Sequence, residues 1–74
     1  MKPDFGDYVK HKAAEEGLSI VLVQDWMGWS YAKARGIIIG AVHPERISFT
    51  EAVALAGILG VSVEELANAA GINS

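Results

Sequence analysis

Apolar residues recur along this chain in short groups, each preceded by a serine or aspartate and followed by a glycine. Phe5, Val9 and Ala13 fall at spacings of four with Tyr8 beside them, which predicts a first helix that starts after Asp4 and runs to about Glu16. Asp4 is placed to cap it, and Lys10 and Lys12 lie off the stripe, as a solvated face or as phosphate contacts. A second helix is predicted over Ile20–Met27, capped by Ser19. Its run Ile20, Val21, Leu22, Val23 is apolar all round, so at least one of these side chains must face outward or meet a partner. Such a β-branched run also suits a buried strand; Ser19 before it and QDWMG after it favour helix. A third helix runs from Tyr31 to about Ile39, capped by Ser30. Its spacing turns Ala34 and Ile37 inward with Trp29, and leaves Tyr31, Ala32, Arg35, Gly36 and Ile39 on the outer face.

After a loop over 41–47, in which Pro44 forbids a continuous helix, the pattern becomes clearer. Ser48-Phe49-Thr50-Glu51 and Ser62-Val63-Glu64-Glu65 both read as capping boxes. Between them Phe49, Ala52, Val53, Ala56 and Leu59 form the expected inward stripe of a fourth helix, with Gly57 admitting a close neighbour. Leu66 and Ala69 do the same for a fifth, and Ile72 follows its closing glycine. Gly17, Gly28, Gly40, Gly60 and Gly71 each end a helix-like segment, so five helices are expected in one all-α domain over 1–74.

Composition narrows the chemistry. Seventy-four residues make one domain with a small core, and the absence of cysteine rules out disulfides and thiolate metal sites. His11 and His43 have no ligand spacing around them, so no metal and no cofactor is expected. Charged residues interrupt the N-terminal segment and the longest apolar stretch, 52–63, is too short to span a bilayer, so a cytoplasmic protein without a membrane role is expected. No serine, histidine and carboxylate share a usable spacing, and no glycine-rich loop joins a strand to a helix; an enzyme is not expected. The formal charge is −3, unevenly spread. Residues 18–47 hold Lys33, Arg35 and Arg46 against Asp25 and Glu45, whereas 48–74 hold only Glu51, Glu64 and Glu65. The positive charge therefore gathers around the third helix, a modest footprint for a nucleic-acid binder.

Two short capped helices joined at Gly28, with Val23, Met27, Trp29 and Ile37 apolar on the inner side, make a helix-turn-helix pattern. Gly17-Leu18-Ser19, Gly28-Trp29-Ser30 and the junction LAGILGVSVEEL from Leu55 to Leu66 resemble, in order and at matching spacing, the Cro/CI-type (lambda-repressor-like, XRE-type) helix-turn-helix domains. The resemblance covers about residues 5–70. It implies a compact five-helix lambda-repressor-like domain, with the helix-turn-helix at helices 2 and 3. It further implies a transcriptional regulator of phage or prophage type that binds a double-stranded DNA operator, often as a homodimer. Carried over by position, the groove-facing places fall on Ser30, Tyr31, Ala32, Arg35, Gly36 and Ile39, with Lys33 at a flanking phosphate position. Arg35 is the candidate for bidentate reading of guanine, and Tyr31 for a phosphate or a thymine methyl. Arg46 and His43, on the following loop, are further candidates for the phosphate backbone. The chain departs from the family pattern at Gln24, where alanine is common, and at Ile20, where a DNA-contacting glutamine is common.

A second expectation comes from the acidic tail and from Ile20, Val21, Ile38 and Ile39, which exceed what a small core needs. They suit a protein-interaction module on the same fold that binds another regulator. Trp26 and Trp29 read as packing residues rather than as base-stacking platforms, and the dimer is expected to use apolar residues of the fifth helix and the second.

Overall fold

The caps direct the chain as the serines and aspartate foretell. In the computed structural model, which describes residues 4–71, helices α1 (Phe5–Glu15), α2 (Ile20–Met27) and α3 (Tyr31–Ile39) are followed by α4 (Phe49–Leu59) and α5 (Val63–Ala69). Among the described residues there is no strand. The Asp4 carboxylate accepts from the Asp7 amide at 2.7 Å, and the hydroxyls of Ser19, Ser30, Ser48 and Ser62 each accept from the amide three residues on. Each bond satisfies a donor that the first helical turn leaves unpaired and is worth about 1 kcal/mol relative to alanine. Ile20–Val23 is thus a helix in spite of its β-branched composition. Ile72 lies outside the described residues.

The capping box at Ser48 is complete, because Glu51 Oε1 accepts from the Ser48 amide at 3.0 Å. The one expected at Ser62 is only half formed. Ser62 accepts from the Glu65 amide, but Glu65 stays exposed and does not reach back to the Ser62 amide. The loop over 41–47 also holds more order than expected: Pro44–Arg46 forms a 3-10 turn, with the Ile47 amide donating to the Pro44 carbonyl. Proline suits the first position of such a turn, where its missing N–H has no partner to lose.

The core forms where the stripes of α1 and α3 meet those of α2 and α4. Val9, Val23, Ile37, Leu55 and Leu59 are fully buried, with Phe5 and Ala34 beside them and Leu66 closing the floor from α5. On α4 the buried stripe differs from the expected one. Leu55 lies inside with Ala56 and Leu59, whereas Phe49 is 77% exposed and Val53 44% exposed. The rotation has a physical reason. Glu51 and Leu55 lie four residues apart on one face, and Glu51 is hydrogen-bonded to Trp29 and Lys33 at the edge of the core. Turning that face inward sends Phe49, Val53 and Gly57 to the opposite side. Gly57 accordingly meets the Trp26 ring rather than another helix backbone, and the Trp26 indole N–H donates to the Ala54 carbonyl at 2.8 Å.

The tightest surroundings of any glycine among the described residues lie between α1 and the end of α3. Gly6 is buried, and a Cβ built on it would fall on the carbonyl oxygen of Gly40. Gly40 itself takes the left-handed conformation (φ 79°) that ends α3, and Gly28 does the same (φ 69°) between α2 and α3. No single helix among the described residues is long and apolar enough to cross a membrane.

The Gly6–Gly40 crossing predicts that Gly6→Ala destabilises the fold by about 3 kcal/mol, the upper range of overpacking costs. Gly17→Ala, strained by a positive φ but surrounded by open space, should cost only about 1 kcal/mol. Urea unfolding of the two variants checks the order; equal losses would remove the crossing as a determinant.

Candidate nucleic-acid interface

Gly28 and the Ser30 cap let the chain turn from α2 into α3 within three residues, and α3 keeps one flank free. Ala34, Gly36 and Ile37 are buried. On the free flank Tyr31, Arg35 and Ile39 succeed one another at spacings of four, with Ala32 adjoining; Tyr31 is 59% and Ile39 45% exposed. These four expected site residues form one strip.

The remaining three gather elsewhere. Ser30, Lys33 and Arg46, together with Ala32 and His43, border a concavity of about 430 Å³ between α3 and the 3-10 turn. The turn therefore carries Arg46 and His43 up beside α3, and the site consists of a strip and a flanking groove. Two expectations need correction. Gly36 does not belong to the outer face: it is buried, and a Cβ there would come within 2.9 Å of the Ala41 carbonyl oxygen, because the chain folds back on α3 after Gly40. Ile20 and Ile38 are not surplus surface residues either, since both are half-buried against the core. Val21 and Ile39 are exposed as expected.

The cations are not equivalent. Lys33 Nζ lies 2.9 Å from Glu51 Oε2 and 4.5 Å from the centroid of the Trp29 ring. The Trp29 indole N–H donates to the same carboxylate oxygen at 3.0 Å, while the other oxygen takes the Ser48 amide. Lys33 first, and the Ser48 amide next, hold the Glu51 carboxyl down at about 2, against an ordinary value of 4.5. Among the described residues Arg35 and Arg46 form no ion pair. Glu51 had been legible only as a cap; its hold on α3 spans 18 residues of sequence and leaves no local signal.

The apolar surface is distributed differently from the expected dimer face. Besides Tyr31 and Ile39 on α3, the large exposed side chains are Val21, Leu22 and Trp26 on α2, as expected of that helix, and Phe49 and Val53 on α4; α5 contributes none among the described residues. Nor, among those residues, do three histidine or acidic side chains come together to hold a metal ion. No known protein family, curated protein or solved structure matches this chain.

The lowered Glu51 value has a fixed sign. A carboxyl depressed in the folded state stabilises the fold fully above its unfolded value, near 4.5, and loses that contribution as pH falls towards about 2. The stability difference between the parent and Glu51→Gln should therefore be largest at neutral pH and shrink between about pH 4.5 and 2. Denaturant titrations across that window check it; a pH-independent difference would show that the carboxylate charge is not what matters.

Proposed function

We propose that this chain is a small DNA-binding transcriptional regulator that sets α3 into the major groove. The observation that carries this reading is the strip Tyr31–Arg35–Ile39, exposed along a nine-residue helix, with Arg46, which forms no ion pair among the described residues, on the groove that flanks it. A helix presented in this way fits the width of the B-DNA major groove. Arg35 reaches the base edges, where its planar fork matches the O6 and N7 acceptors of guanine. Ile39 and Ala32 offer apolar contact to thymine methyl groups, and Tyr31 packs or donates at the rim. Ser30 and Arg46 serve the phosphates, which set register without reading sequence.

The net charge of −3 argues that one copy alone binds poorly. We infer a homodimer, since two copies double the phosphate contacts and match a palindromic operator. Val21 and Leu22, exposed on α2, are available for the contact between copies. A cytoplasmic, nucleoid-associated location and a phage or prophage role follow from the same reading. The second reading, a module that binds another regulator, draws on the exposed apolar residues of α2 and α4. It predicts a folded protein that ignores DNA.

Fluorescence anisotropy with a generic duplex at low salt separates the two. Binding should weaken with salt, and Arg46→Ala should reduce the slope of log K against log salt by about 0.9, for one phosphate lost. On a selected operator Arg35→Ala should cost about 1–3 kcal/mol and relax the base preference at one position. A folded parent that fails to bind any duplex at low salt would sink the regulator reading and leave the interaction module. A sedimentation mass that stays monomeric at all concentrations would remove the dimer.

A further inference from the structure

We propose that Glu51 limits the protein's affinity for the nucleic-acid backbone by holding the Lys33 ammonium as its internal counter-ion, where a phosphate oxygen would otherwise bind. The proposal rests on the reading that α3 faces DNA. Lys33 lies on the border of the groove shared by Ser30, His43 and Arg46, so its ammonium stands among the groups that would meet a phosphate. One of its three N–H donors is nevertheless committed to a carboxylate oxygen at 2.9 Å, so its charge is already partnered where a phosphate would arrive.

That carboxylate does not behave as an ordinary surface partner. An isolated exposed ion pair is weak because two flexible side chains must be ordered to form it. Glu51 is ordered already: its Oε1 is fixed by the Ser48 amide as part of the α4 cap, and its Oε2 by the Trp29 indole. Lys33 is ordered too, laid over the face of the Trp29 ring. Most of the entropy cost of the pair is thus met by bonds that exist for other reasons. At any pH at which DNA binding is measured Glu51 is ionised, so its charge is a permanent feature of the groove. A phosphate approaching Lys33 meets a pair with no net charge and a fixed anion behind it. Of the three cations near α3, only Arg35 and Arg46 remain to release counterions from the duplex.

Glu51→Gln removes the charge and frees Lys33; its one carbonyl oxygen can keep the Ser48 amide bond, while its amide nitrogen, a donor, replaces the oxygen that accepts from the Trp29 indole. Binding to a generic duplex is read by anisotropy over a range of salt for the parent, Glu51→Gln and the double variant Glu51→Gln/Lys33→Gln. Circular dichroism and Trp emission establish that each is folded. The expected result is an affinity on the order of tenfold higher for Glu51→Gln at low salt, with a slope steeper by about 0.9, and a return to the parent slope in the double variant. A folded Glu51→Gln with the parent's slope overturns the proposal. So does a double variant that keeps the steeper slope, because Lys33 is then not the released cation. If neither the parent nor Glu51→Gln binds duplex at all, the DNA-binding reading itself fails, and the proposal with it.

Discussion

Helix α3 is held at both ends by contacts that allow little adjustment, and the placement of its free flank depends on them. At its C-terminal end the Gly40 carbonyl sits where a side chain on Gly6 would stand, so α1 and α3 meet backbone to backbone. At its N-terminal end the Glu51 carboxylate takes both the Trp29 indole and the Lys33 ammonium, tying the turn before α3 to the cap of α4. Between these two ends Ala34 and Ile37 are buried without remainder. A core this small tolerates few voids, because each lost methylene removes a noticeable share of a marginal stability. Close backbone crossings and shared polar anchors fix the helix where apolar area alone would not.

The same arrangement explains the division between the strip and the groove. Once Gly36 is turned inward against the returning chain, the outer flank of α3 can hold only the residues at Tyr31, Arg35 and Ile39, with Ala32 at its margin. Lys33, on the other side, falls between Trp29 and the 3-10 turn that carries Arg46. On the proposed reading, the strip is the part that meets base edges and the groove the part that meets phosphates. Charge then separates the cations again, since among the described residues Lys33 is paired and the two arginines are not.

α4 illustrates how a polar residue can decide the orientation of an apolar helix. Almost every side chain of FTEAVALAGIL is apolar or small, so burial by itself ranks its faces weakly. The carboxylate at Glu51 breaks the tie. With three donors to satisfy, it turns its own face, and Leu55 with it, towards α2 and α3. Phe49 and Val53 are then left to solvent, and Trp26 of α2 meets α4 at Ala54 and Gly57. The exposed apolar surface of α4 and the pairing of Lys33 with Glu51 both go with that one orientation.

The sequence by itself determined the number of helices and their ends. Caps such as Ser19 and Ser30, and closing glycines such as Gly28 and Gly40, act within three or four residues, and local rules read them directly. It also determined the stripe on α1 and the free flank of α3 at Tyr31, Arg35 and Ile39, where the helical period leaves one choice. Gly36, the burial of Ile38, the face of α4 and the pairing of Lys33 with Glu51 were decided only in the folded chain. Each depends on a group far away in sequence or across a loop: the Ala41 carbonyl for Gly36, and Trp29 and Lys33 for Glu51. Periodicity describes what one helix can bury; which neighbour arrives, and with which donor or carbonyl, is settled by packing in three dimensions.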